Sequence, residues 1–202
     1  FAGFAGFRGE RLTGWGGGVQ GSMTVTAPAD AAPDPAILTP PGLPILDAAA
    51  WLGHACWAEL RLQEVLTAWL AVEPDPEHAL VLWRERADAA ERAESWYHRL
   101  PELREFPQAS FLVPCSPSVA DLFDQLAALD APASSPARRG ALAAVLRGLR
   151  VGYHRRQEVA VGPADGPTAV SIGVALRSTF GVGGWDPAPE WTRAVEAAGG
   201  LP

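Results

Sequence analysis

Apolar residues between Leu46 and Tyr97 recur at intervals of three and four in two runs, and prolines stand between the runs. In the first run Leu52, Ala55, Glu59, Leu62, Leu66 and Trp69 are spaced 3, 4, 3, 4 and 3, the narrow seam of a helix packed in a bundle. Asp47 is expected to cap its start, and Pro74 and Pro76 end it. At 1.5 Å per residue such a helix, of roughly 27 residues, is about 40 Å long. The second run begins near Pro76 with Asp75 as cap. Its seam is expected at Leu80, Trp83, Ala87, Ala90, Glu94 and Tyr97, and Pro101 stops it. The few residues between the runs predict an antiparallel hairpin, which needs further helices to cover it.

The rest of the chain supplies them. Pro101 to Ser134 is a long connection with one short amphipathic helix, capped by Ser116, opened by Pro117 and lined by Val119, Leu122, Phe123 and Leu126. Ser135 and Pro136 start a third long helix reaching about Ala160, with Leu142, Val145, Leu146, Leu149 and Tyr153 inward. Thr168 to Phe180 is β-branched and contains glycine, so its period alone does not separate helix from strand. Its helical neighbours and the lack of a partner strand predict helix. Glu190 to Ala198 predicts a final short helix. The expected fold is all-α, an up-down helical bundle at residues 46–185 with one long crossover carrying a short helix, then a short helix and tail at 186–202.

The flanks read differently. Residues 1–22 repeat Phe-Ala-Gly and enclose Trp15 in glycine, and the only methionine is Met23. This segment is expected to be an artefact of an upstream start, and residues 23–45 an alanine- and proline-rich flexible arm. All 16 basic residues are arginine and lysine is absent, which reads as the codon bias of a GC-rich bacterial genome. A net charge of −7 argues against a surface that clings to nucleic acid or anionic membrane. No uncharged apolar stretch has the length of a membrane span, and no basic-then-apolar leader opens the chain. Cys56 and Cys115 lie outside any metal-ligand spacing. A cytoplasmic protein with reduced thiols is expected.

Glu59 and Glu94 stand in seams where leucine would cost less, since a buried unpaired carboxylate costs several kcal/mol. One reading is a carboxylate metal centre; the other is neutralisation by arginine or escape to solvent. The stretches Glu59-Leu60-Arg61-Leu62-Gln63-Glu64-Val65-Leu66 and Glu94-Ser95-Trp96-Tyr97-His98-Arg99-Leu100 resemble helices of little-characterised bacterial ferritin-like proteins. The resemblance spans Leu46 to Trp185 through loose, mostly apolar motifs. It implies a ferritin-like bundle whose inward glutamates, with a histidine one turn on, hold two metal ions. This chain departs from that pattern. Tyr97 stands three residues after Glu94, with His98 one place late. His154 and Glu158 are in reversed order, and Thr168 to Trp185 has neither acid nor histidine. Glu59, Glu94, His98 and His154 thus form an incomplete ligand set, and the implication is a degenerate metal site with no cofactor. Iron or manganese belongs to the alternative reading, an oxygen-activating oxidase or hydroxylase.

Charge is segregated. Residues 59–105 carry eleven acids against six arginines, whereas the third long helix carries Arg138, Arg139, Arg147, Arg150, Arg155 and Arg156 against Glu158 alone. These arginines are expected to reach the hairpin's carboxylates. The alternative is an adaptor that binds an acidic partner through Arg147, Arg150, Arg155 and Arg156. Gly148 and Gly152, four apart, predict a close packing face, and five tryptophans on the hairpin exceed what one seam buries. The sequence therefore points first to a non-catalytic binding or scaffold bundle that self-associates through helix faces.

Overall fold

The computed structural model describes residues 42–178 and 184–202, all within one unit, Thr39–Pro202. The expectations for residues 1–22 and for most of the proline-rich arm lie outside the described residues, as do Thr179, Phe180 and residues 181–183. Six α-helices carry the described chain: α1 (Ile45–Val72), α2 (Pro76–Arg99), α3 (Pro117–Ala127), α4 (Ser135–Val159), α5 (Gly166–Arg177) and α6 (Pro189–Ala197). There is no strand among the described residues, so the β-branched segment from Thr168 is helical. No helix among them is long and apolar enough to cross a membrane.

In α1 every residue of the 3-4 seam is buried. Asp47 does not cap it: Pro44 precedes the first turn with no side-chain cap bond, and Asp47 lies within that turn, where its charge complements the helix dipole. Asp75 does cap α2, its carboxylate accepting from the backbone N–H groups of Glu77 and His78. The α2 seam is a correction. Its buried face is His78, Leu82, Glu85, Ala89, Arg92, Ala93 and Trp96, on the order of 150° around from the expected seam at 100° per residue. Leu80 and Trp83 are 48% and 53% exposed, and Glu94 and Tyr97 are also on the outside. Two contacts select this rotation. The Trp96 indole packs edge-on against Trp51 and Tyr153, and Arg92 meets the buried Glu59. The helix's alanines fit either side.

The expected faces of α3 and α4 are the buried ones, and the Ser116 hydroxyl accepts from Val119 N–H as the α3 cap. Side-chain contacts fix the directions. Trp51 meets Trp96 and Glu59 meets Arg92, so α1 and α2 are antiparallel. Ser135 and Arg138, at the start of α4, meet Glu73 beside the α1–α2 turn, and Tyr153, near its end, meets Trp51. Thus α4 runs with α2, and the crossover through α3 returns the chain to the turn end. Asp165 binds the Leu43 backbone at the far end, and α5 runs back from there beside α2. Then α6 lies parallel to α4: Ala188 N–H donates to Gly140 O, and Gly148 and Gly152 abut Val195 and Leu201. Val195, Ala198 and Leu201 share the core of α1, α3 and α4.

Candidate functional site

The centre of the four helices α1, α2, α4 and α5 is polar. Glu59 of α1 is fully buried, and both its oxygens are engaged. Arg92 of α2 donates from Nε to Oε1 at 2.7 Å and from Nη2 to Oε2 at 3.0 Å, a bidentate pair. Tyr153 of α4 donates its hydroxyl proton to Oε1 at 2.6 Å and accepts from Trp96 Nε1 at 3.2 Å. Burial, then the neighbouring Glu59 charge, pushes the Tyr153 phenol well above its ordinary pKa, so it stays a donor. Burial opposes the Arg92 charge, but Glu59 outweighs it and the guanidinium is held cationic. On the apolar side of this cluster α5 contributes Ile172 and Ala175, and Cys56 donates its thiol proton to Ala93 O. Burial, reinforced by Glu59, pushes that thiol up to about 11, which makes it a poor nucleophile.

Glu85, two turns before Arg92 on the same face of α2, is 2% exposed, and its Oε2 accepts no hydrogen bond among the described residues. Burial raises its pKa to about 7; Arg92 opposes this, while Asp88 and Glu59 add to it. The core thus holds one carboxylate tied to a guanidinium and a phenol, and a second, Glu85, that burial makes a weaker acid.

A second polar cluster lies at the turn end. The Glu73 side chain is fully buried, accepting from Ser135 Oγ at 2.7 Å and from Arg138 Nη2 at 2.8 Å. Burial pushes its pKa up, but the Ser135 and Arg138 bonds, with the Asp75 N–H and His78, outweigh that and hold it at about 2. Arg138 also donates to the carbonyls of Leu129 and Ala131. Serine, histidine and glutamate meet here, yet no hydrolytic relay is formed. Such a relay needs the serine on one ring nitrogen and the acid on the other. Here Ser135 and Glu73 both face His78 Nδ1, and Ser135 gives its proton to Glu73.

The four residues considered as metal ligands do not come together. Glu94 and His98 are about three-quarters exposed and lie 3.6 Å apart on the outer face of α2, His154 is exposed on α4, and Glu59 is committed to Arg92 and Tyr153. Among the described residues no three His, Cys, Asp or Glu side chains are grouped to hold a metal. Two metal ions of a ferritin-like centre therefore do not fit these residues: the inward glutamate of α1 is engaged by the Arg92 guanidinium and the Tyr153 hydroxyl.

The arginines of α4 divide in three. Arg138 and Arg139 pair with Glu73 and Asp75 at the hairpin turn. Arg156 lies over the Trp51 ring at 4.9 Å. Arg147, Arg150 and Arg155 are exposed and form no ion pair among the described residues, so they do not reach the hairpin's carboxylates. Arg147 and Arg155 border a groove of about 370 Å³ between α4 and the α6 end, floored by Gly148, Gly152, Val195 and Leu201; Arg150 is outside it. The Gly162–Gly166 turn is closed by Asp165, which accepts from the N–H groups of Gly162 and Leu43. Arg92 escaped the sequence reading because the alternative α2 seam has the same spacing. The signal that finds it is positional: Glu59 and Tyr153 are both inward, and the level of Glu59 across an antiparallel hairpin falls close to Arg92. No family model, curated protein or solved structure matches the chain.

Proposed function

We propose that the protein is a non-catalytic helical module, ferritin-like in layout, that works by binding and scaffolding. The observation that carries this reading is the bidentate Arg92–Glu59 pair with Tyr153 on the same carboxylate. It uses the inward acid of α1 for cohesion, where an oxidase would need it as a ligand. The helix directions, with α1 and α5 opposed to α2 and α4 and one long crossover, support the ferritin-like layout. The oxygen-activating alternative requires Arg92 to leave Glu59 and Glu94 to turn from solvent to core, at a cost of several kcal/mol for the uncompensated charges. The exposed Leu80 and Trp83, one turn apart on α2, are the residues through which self-association would act; the sedimentation coefficient of Trp83→Gln against the parent measures it.

Metal analysis after purification under anaerobic, iron-supplemented conditions tests the core of the proposal. The expected result is sub-stoichiometric iron and manganese, unchanged in a Glu59→Ala, Glu94→Ala double variant. Stoichiometric metal that disappears in that variant overturns it.

A further inference from the structure

The groove beside α4 has the construction of a ligand site. Because α6 runs parallel to α4, its two walls keep register: Gly148 faces Val195, with 2.8 Å from a built Cβ to Val195 Cγ1, and Gly152 faces the backbone of Leu201 and Pro202. A side chain at either glycine would collide with this wall, at Gly152 against backbone, and push it away from α4. Above the floor Arg147, Val151 and Arg155 lie at i, i+4 and i+8, one row along the helix. Val151 is 43% exposed between two arginines without ion-pair partners among the described residues. The opposite lip is Thr192, Glu196 and the Gly199–Gly200 turn. That turn is a Schellman closure: Gly200 N–H reaches Val195 O, Gly199 N–H reaches Glu196 O, and both glycines have positive φ. It sends Leu201 back across Gly152.

The charges on the two lips are unequal along the groove. Glu196 is level with Gly148, so it faces the Arg147 half. Among the described residues no acidic side chain lines the Arg155 half, where the Arg155 guanidinium lies 3.4 Å from the position of a Gly200 Cβ. The volume falls within the range of small-molecule sites, roughly 300–1,000 Å³. We propose that this groove binds an amphipathic monoanion, with a carboxylate-type head at Arg155 and an apolar tail along Val151 and Gly148. This rests on the reading of the bundle as a binding module and names the ligand class it would take.

Decanoate, titrated by calorimetry below its micelle concentration, is the probe. Acetate supplies the head alone and decan-1-ol the tail alone. Saturable one-site binding of decanoate is expected, with neither control matching it. Arg155→Gln should weaken it by about tenfold, the value of one charge-assisted hydrogen bond. Gly148→Leu should abolish it by displacing Val195 and Leu201 from the groove wall, and Arg150→Gln, outside the groove, should leave it unchanged. Thermal melts establish that each variant is folded, and Arg155→Gln changes only an exposed side chain. No decanoate binding, equal binding of acetate, or equal loss in Arg150→Gln and Arg155→Gln overturns the ligand assignment while leaving the non-catalytic reading standing. Stoichiometric Glu59-dependent metal overturns that reading independently of the groove.

Discussion

The molecule neutralises two buried glutamates with arginine, and it does so differently at its centre and at its turn end. Glu59 and Arg92 lie mid-helix, where the backbone is fully hydrogen-bonded within the helices, so only side chains are available to them. Tyr153 and Trp96 complete the set, and Glu85 beside it is left with an unbonded oxygen. Glu73 and Arg138 lie where α1 ends and the crossover arrives. There the carbonyls of Leu129 and Ala131 and the Asp75 N–H are free to join. Helix ends provide unpaired backbone groups and helix middles do not. A charge pair is therefore braced by backbone groups at an end and dependent on neighbouring side chains in the middle.

The largest expected effect tests that dependence. Arg92→Leu leaves Glu59 buried with Tyr153 as its main donor and should cost about 3–5 kcal/mol in urea denaturation. A Glu59→Leu, Arg92→Leu double variant should recover most of the loss, because an apolar pair needs no desolvation. If the double variant is as unstable as the single one, the pair contributes through shape and not through charge. At the turn end, Glu73→Gln should cost less, about 2–3 kcal/mol at pH 7, since Arg138 retains two backbone carbonyls.

The same comparison predicts opposite pH slopes. Glu73 has a depressed folded-state pKa of about 2, so its contribution is present above the ordinary carboxylate pKa and is lost as pH falls toward 2. Acid unfolding of Glu73→Gln should lack that component. Glu85 is raised to about 7, so the folded state holds the extra proton and stability falls as pH climbs from about 4.5 to 7. Glu85→Gln should gain about 2 kcal/mol at pH 8 and almost nothing at pH 4.5, read from urea midpoints at the two pH values. A gain independent of pH would mean that packing, not ionisation, sets its effect. The smallest change is expected for Arg150→Gln, within about 0.5 kcal/mol of the parent; a larger loss would reveal a partner for this exposed arginine.

Part of this was legible in advance. The seams of α1, α3 and α4, with their leucines, Phe123 and Tyr153, have one apolar phase each, and the prolines near their ends, with Ser116 on α3, mark the helix limits. On α2 two phases of equal spacing compete, because Ala87, Ala89, Ala90 and Ala93 fit inside or outside. One phase turns Leu82, Arg92 and Trp96 inward; the other turns Trp83, Glu94 and Tyr97. Periodicity carries no term for the charge on a facing helix, so it could not choose, and the reading that paired Glu59 with Glu94 followed from the wrong phase. The groove was hidden for a related reason. Gly148 and Gly152 announce close packing, but nothing local says that α6 and Leu201 are what pack there.

By itself the sequence determined the helices: where they start and stop, that the hairpin is antiparallel, and that an acid lies in the middle of α1. Those properties depend on spacing, on proline and on caps, all within a few residues of chain. Only the tertiary structure decided which face of α2 is buried, that Arg92 and Tyr153 hold Glu59, and which arginines of α4 reach the hairpin's carboxylates. The physical reason is desolvation. A buried carboxylate must find its counter-charge wherever the fold brings one, and the pairing at 33 and 94 residues' separation is a property of the assembled bundle alone.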